Sequence, residues 1–271
     1  MINRERAIRI LYISGVLLSG AAFLALLGFV GSRQQTLLVK SVVVNIVDQD
    51  AHDFVDRNEV LSRINAKGKI IGKPVGDLDF TLLEKRILSN PWVRTAEVYS
   101  AIDGTLHAEL EQRHPVVRVI NVYDEQFYID SEGVFMPVSD RHTPPVLVAN
   151  GQLFNRFSEG KIGYNFTIGD SAGTPLPRTI GQIFTTALAV EADTFWSANT
   201  EQLYVNENQE LELIPRLGQH RILLGDTTDL SDKLERMRIF YLQGLNKTGW
   251  DKYELINLKY KNQVVCTKRN Q

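Results

Sequence analysis

FTLLEKRILSNPWVRTAEVYSAIDGTLHAELE, Phe80 to Glu111, changes its hydrophobic period part-way along, and that change decides the fold. Phe80, Leu83 and Ile87 recur at helical spacing behind Asp79, and Pro91 drives Asn90 out of helical dihedrals, so the spacing predicts a helix that stops at the proline. From Val93 to Tyr99 the residues favour an extended chain. After the turn residues Asp103 and Gly104, Leu106, Ala108 and Leu110 alternate with His107, Glu109 and Glu111, which predicts a β-hairpin. Val93 has the opposite parity to Ala96 and Val98, so the first strand needs a bulge or a late start to bury both sets.

Working towards the N-terminus, Leu37 to Val47 is rich in β-branched residues and reads as a strand with Val42, Val44 and Ile46 on one face. Asp56 and Glu59 have capping-box spacing before Val60, Leu61 and Ile64, a short helix ended by the Gly68, Gly72 and Gly76 region. The order is therefore strand, helix, helix, strand, strand, closed by Pro115, with the helices covering one face of a small sheet. Further out, Ile10 to Ser32 carries no charge between Arg9 and Arg33 and is long enough to cross a hydrocarbon core of ~30 Å as a helix. Arg4, Arg6 and Arg9 put the N-terminus in the cytoplasm and the bulk of the chain outside. A cleaved signal peptide is the alternative, but its apolar core is typically about 7–15 residues, and Gly28 to Ser32 is no A-x-A site. Gly15 and Gly20 are not spaced as G-x-x-x-G.

Towards the C-terminus a second domain starts near Val116. Phe127 to Asp130 with Gly133 and Phe135 predicts strand, turn, strand, and Pro144 to Val148 with Asn150-Gly151 another strand and turn. Ile180, Ile183, Phe184, Ala187 and Leu188 mark an amphipathic helix behind Pro175 and Pro177. Leu203 to Val205, Leu211 to Ile214 and Ile222 to Gly225 form a meander. A helix with Leu230, Leu234, Met237, Tyr241 and Leu245 on one face follows, and Ile256, Leu258 and Tyr260 alternate in a closing strand. The fold class is α+β: a single transmembrane helix, a β-α-α-β-β domain and a mixed-sheet domain with two flanking helices.

Composition excludes several functions. With 30 Lys plus Arg against 32 Asp plus Glu and no basic run, nucleic acid is not an expected partner. Cys266 is the single cysteine, so no internal disulfide forms. His52, His107, His114, His142 and His220 are scattered and read as surface or turn residues, without an H-E-x-x-H, G-x-S-x-G or C-x-x-C pattern. The glycines around Lys69 and Lys73 lack the phosphate-loop spacing, and Asp130 with Glu132 beside Gly133 suits a turn better than an acid/base pair. No enzyme activity, cofactor, metal or small-molecule substrate is expected.

Asp79-Phe80, Leu83-Glu84, Ile87, Pro91-Trp92-Val93, Ala96, Val98, Gly104-Thr105-Leu106 and Pro115-Val116 resemble, at the same spacing throughout, the POTRA domain of the FtsQ/DivIB family of bacterial division proteins. Tyr99, Ile102, Gln112 and Val117 stand where that family usually has arginine, proline, glutamate and alanine. Trp92 and Val93 are read as core packing. Leu223-Leu224-Gly225 before a helix and Ile256 to Tyr260 after it resemble the same family's β-domain, with Asn257 and Lys259 in place of its usual aspartate and arginine. The implied partition is residues 1–9 cytoplasmic tail, 10–32 transmembrane helix, 37–115 POTRA domain and 116–271 β-domain.

The resemblance implies a non-enzymatic, single-pass division protein at the septum of the cytoplasmic membrane. It would link early and late division proteins outside the cytoplasm, with partners like FtsB and FtsL and FtsK as a further candidate. It places FtsB docking on the closing segment Tyr260, Lys261, Asn262, Gln263, Val264, Val265, Cys266, Thr267 and Lys268, where an edge strand can accept a partner strand. Tyr260, Val264 and Cys266 share one parity and Val265 and Thr267 the other, so one set faces the partner. By the same resemblance the POTRA domain serves recruitment, with His107, Glu109 and Glu111 as its exposed polar face. Two other classes stay open: a different membrane-anchored POTRA-type envelope assembly factor, although no sequence remains for a β-barrel, and a peptidoglycan-acting envelope enzyme.

Overall fold

The computed structural model describes residues 12–22, 36–47, 53–157, 162–165 and 177–269. Residues 12–22 form a helix, α1, with exposed side chains. The remainder of the expected 10–32 span and the 1–9 tail lie outside the described residues. Among the described residues no helix is long and apolar enough to cross a membrane. The principal division of the chain falls between Gln112 and Arg113.

In the first unit β1 (Ser41–Val47), α2 (Arg57–Ile64), α3 (Phe80–Leu88), β2 (Val93–Ser100) and β3 (Thr105–Gln112) follow the expected order. The sheet order is β1-β3-β2, with β1 parallel and β2 antiparallel to the central β3. Asp79 starts α3 by accepting the Leu82 N–H at 3.0 Å, and Asp56 caps α2. The parity conflict in β2 is resolved by a register shift: Val93 pairs with Gln112 but Thr95 with Glu111, which lets Val93 and Val98 both reach the core. Leu106, Ala108 and Leu110 of β3 are buried, as are Leu83 and Ile87 of α3. Trp92 is only half-buried, so the core-packing reading holds for Val93 and in part for Trp92.

The second unit is built on a nine-stranded sheet among the described residues, in the order β12-β11-β10-β9-β8-β7-β4-β5-β6. Its strands are β4 (Pro115–Ile120), β5 (Gln126–Asp130), β6 (Phe135–Pro137), β7 (Leu147–Gly151), β8 (Thr200–Val205), β9 (Leu211–Pro215), β10 (Arg221–Gly225), β11 (Tyr253–Asn257) and β12 (Val265–Lys268). Parallel pairs need long crossovers, and helices supply two of the three: α4 (Arg178–Glu191) with the short α5 (Thr194–Asn199) joins β7 to β8, and α6 (Leu230–Ile239) joins β10 to β11, while β5 and β6 lie between β4 and β7. Ile180, Ile183, Phe184 and Ala187 of α4, and Leu230, Leu234 and Met237 of α6, bury their stripes in one core with Tyr241 and Leu245, which lie on a π-helical continuation of α6.

Two expectations need correction here. Strand β7 runs Leu147–Gly151 rather than starting at Pro144, because two prolines lack the N–H a ladder needs and Asn150 and Gly151 pair with Tyr204 and Val205. Gly151 has φ +103°, and a Cβ there would lie 2.3 Å from the Val205 carbonyl, so it serves a close strand approach inside the sheet. His220 is no surface histidine. It is 1% exposed, and its Nε2 lies 2.8 Å from Tyr241 Oη in an aromatic cluster with Trp250.

Candidate functional site

The sheet of the second unit ends on two edges, and its sequence treats them differently. The outer side of β6 is closed by the chain itself: Phe135 N–H donates to the Tyr164 carbonyl at 3.1 Å, Gly163 N–H donates to the Phe135 carbonyl at 2.9 Å, and Val134 bridges to Asn165. Asn165 Nδ2 fastens the cover to the Glu132 carbonyl at 3.0 Å, and the Phe135 and Tyr164 rings lie stacked. At the far end β12 pairs with β11 on its inner side through Leu255↔Thr267, Ile256↔Cys266 and Asn257↔Val265. Among the described residues nothing pairs with its outer side.

The expected closing segment is divided by the structure. Strand β11 stops at Asn257, so Tyr260, Lys261, Asn262 and Gln263 form the turn between β11 and β12, and Val264 stands just before the strand. Asn262 adopts φ 58°, a left-handed conformation that breaks strand geometry, and Gln263 N–H donates back to the Tyr260 carbonyl. The parity of Tyr260 therefore says nothing about the edge. Parity inside β12 is decided by packing. Val264 and Cys266 rest against the core, while Val265 is 42% exposed and Thr267 shares its outward side. Burial pushes the Cys266 thiol above its ordinary pKa, so this free cysteine holds little thiolate.

Sequence reading missed what holds this turn. Arg236 on α6 aims one guanidinium at three carbonyls, Tyr260 (2.9 Å), Leu258 (3.2 Å) and Gln263, while its Nε donates to Asp232 Oδ2 at 2.8 Å. The fork geometry suits an arginine, because one planar group satisfies several acceptors of a turn that has no ladder partner. The available signal was the Asp232 and Arg236 pair at i, i+4. The segment from Lys259 to Arg269 holds Lys259, Lys261, Lys268 and Arg269 and no acidic residue.

His107, Glu109 and Glu111 share one face of β3, opposite its buried residues, but β3 is the central strand and all three are half-buried by cross-strand neighbours. Tyr99 stacks on His107 with ring centroids 5.1 Å apart and donates to Glu109 at 2.8 Å, and Arg94 pairs with Glu111 at 3.0 Å. The Glu109 carboxylate holds the Tyr99 phenol above its ordinary pKa. Glu97 sits directly opposite Glu109, a like-charge pair that a sheet does not favour. Gln112, where the resembled family usually has glutamate, is fully buried and accepts the Val55 N–H at 3.0 Å, a bond a neutral amide makes without burying a charge.

Among the described residues no group of three His, Cys, Asp or Glu side chains could hold a metal. Asp130 is buried in a turn, accepting the Glu132 and Val134 N–H groups and pairing with Arg113 at 2.7 Å.

A compact β-α-α-β-β unit followed by a mixed sheet with one open edge defines a protein of the POTRA-bearing class, and residues 38–111 match the POTRA-like domain. Residues 114–267, more than half of the chain, match the family described as FtsQ/DivIB, C-terminal related, and the chain belongs to this family of cell division proteins. It is 26% identical over 197 residues to the cell division protein FtsQ of Rhodothermus marinus, covering 72% of this chain and 67% of that protein.

Proposed function

We propose that this protein is a non-enzymatic, bitopic scaffold of the division septum, whose second unit captures a partner by strand addition on β12 and whose POTRA-like unit serves recruitment. The observation that carries the reading is the asymmetry of the sheet: β6 is sealed by residues of its own unit, whereas among the described residues nothing pairs with the outer side of β12. An edge of that kind offers main-chain hydrogen bonds for affinity and alternate side chains, here Val265 and Thr267, for specificity. The basic closing segment favours an acidic partner, and the family suggests partners like FtsB and FtsL, with FtsK as a candidate for the POTRA-like unit. The turn Tyr260 to Gln263, held by Arg236, would contact such a partner beside the strand.

The topology belongs to the same proposal. Residues 1–9 lie in the cytoplasm, 10–32 cross the inner membrane, and 37–115 and 116–271 lie outside as two domains; the arginine-flanked apolar run supports this. Family membership favours the division role over a POTRA-type assembly factor or a peptidoglycan enzyme.

The test is co-purification from dividing cells of a full-length chain carrying Val265→Pro, with Val264→Pro, just before the strand, as a comparison. Loss of an FtsB-like partner by a folded, membrane-held variant is expected, and retained capture would refute strand addition. A reporter fused after Gln271 that works only outside the cytoplasm should be active; activity confined to the cytoplasm would overturn the topology.

A further inference from the structure

One end of the POTRA-like unit is built from three segments that bond to one another. Residues 37–39 run beside 72–75: Val39 N–H donates to the Lys73 carbonyl at 2.9 Å, Gly72 N–H to the Val39 carbonyl at 2.8 Å, and Val75 N–H to the Leu37 carbonyl at 2.8 Å. The turn 101–104 closes on the same strip, with Lys40 N–H donating to the Gly104 carbonyl at 2.9 Å. A Cβ on Gly104 would lie 2.6 Å from the Leu38 carbonyl, so a glycine lets the turn come this close.

Each segment turns an apolar side chain to the outside: Ile102 is 86% exposed, Leu38 52% and Ile71 45%. Lys40, Lys67, Lys69 and Lys73 on the same segments are exposed, and none is ion-paired among the described residues. Within residues 36–40, 65–76 and 101–104 Asp103 is the single carboxylate. It lies near Lys40 but is engaged by its own turn, accepting the Thr105 N–H at 2.8 Å and the Thr105 hydroxyl at 3.1 Å. Asp77 and Asp79, just beyond, share a small cavity with Lys67 and Lys73. Along the hairpin the sign reverses: Glu109 and Glu111, and Glu97 opposite Glu109, stand about 13 Å or more from the turn along the strands.

The chain itself says what lies beside the cationic end. Ser32 closes the apolar run and Leu37 follows five residues later, a reach of at most about 17 Å. A headgroup layer is about 5–8 Å deep, so this end stays next to it. We infer that this end of the POTRA-like unit docks on the membrane that its own anchor crosses, with an anionic phospholipid surface as the partner. The four lysines would meet lipid phosphates, and Ile102, Leu38 and Ile71 would enter the headgroup layer. The acidic end of the hairpin is repelled by the same surface and points away from it. The inference rests on the reading of residues 10–32 as an anchor and is independent of strand addition at β12.

The test places the full-length chain in lipid nanodiscs, either phosphatidylcholine alone or equal parts phosphatidylcholine and phosphatidylglycerol, and follows hydrogen exchange. Residues 67–73 and 101–104 should exchange more slowly in the anionic discs, while residues 264–268 stay unchanged. Lys69→Gln or Lys73→Gln should each lower the added protection about fivefold, and high salt should lower it in the unaltered chain. Ile102→Ser should lower it too, with melting temperatures confirming that each variant is folded. Equal exchange in the two kinds of disc, or full protection in a folded chain carrying Lys40→Gln, Lys69→Gln and Lys73→Gln together, would overturn the inference and leave the anchor standing. A chain that separates from the discs on gel filtration would overturn the anchor, and the inference with it.

Discussion

At one end of the large sheet, β6 is three residues long, ends in a proline and is hydrogen-bonded along its outer side by residues 163–165; at the other, β12 pairs, among the described residues, with β11 alone and turns Val265 and Thr267 outward. Both are edges of one sheet, so the difference is not a matter of strand propensity. An unpaired edge invites association, and proteins usually blunt it with short strands, prolines or covering loops. Here those devices are concentrated on β6. The POTRA-like sheet offers a third case: Glu84 on α3 accepts the outward Val98 N–H of β2 at 3.1 Å, a side chain standing in for a strand.

The largest effect expected from this comparison is on stability. Leu213→Pro, in the buried β9, should destabilise the protein by more than about 3 kcal/mol, because it loses core packing and a ladder hydrogen bond together. Val265→Pro, at the edge, should cost about 1 kcal/mol or less. Urea denaturation of the two proteins checks this, and equal losses would mean that β12 is no true edge.

Arg236→Ala should come next, at about 1.5–3 kcal/mol for hydrogen bonds from a charged donor, felt mainly as local opening. Hydrogen exchange should quicken at residues 264–268 and leave β6 unchanged. Uniform quickening would show that Arg236 holds the whole sheet rather than one edge.

A smaller, pH-dependent effect should also separate the two halves. Burial pushes the His220 imidazole below its ordinary pKa, Arg269 adds to this, and the Trp250 backbone opposes it. The unfolded chain therefore binds a proton that the folded chain resists. The stability tied to neutral His220 is fully present above the unfolded value of about 6.5 and is lost as pH falls through the folded value. Melting followed by tryptophan fluorescence should shift on acidification, and His220→Gln should flatten that shift. An unchanged slope in His220→Gln would assign the acid sensitivity to other groups.

The smallest change expected is in the POTRA-like unit. Reversing charge at Glu109 and Glu111 loses contacts with Tyr99 and Arg94 but relieves the Glu97 and Glu109 repulsion, so stability should move by no more than ~0.5 kcal/mol. Septal localisation should nevertheless fall if this face recruits the protein. Normal septal rings in the double variant would leave the recruiting surface elsewhere.

The order of elements in the first unit, and most of it in the second, was legible without coordinates, because helical spacing, alternation and the Pro91 and Gly104 signals act over a few residues; β4 and α5 were not read. An irregularity in β2, a bulge or a late start, was legible for the same reason, and the register shift between Val93 and Thr95 decides for the bulge. The end of the chain was not. Ile256, Leu258 and Tyr260 alternate like one strand, but Leu258 N–H donates to Leu223 and Arg236 holds the Leu258, Tyr260 and Gln263 carbonyls, contacts that reach 22 or more residues along the chain.

By itself, then, the sequence determined the elements, the family resemblance and the presence of a closing strand, all properties of local pattern. It could not say that His220 would be buried beside Tyr241, that the Thr200 hydroxyl would be buried without a partner among the described residues, or which side of β12 would turn outward. Those were decided by tertiary structure, because burial and strand neighbours depend on which distant segments arrive alongside, and a two-residue period is the same whichever face they cover.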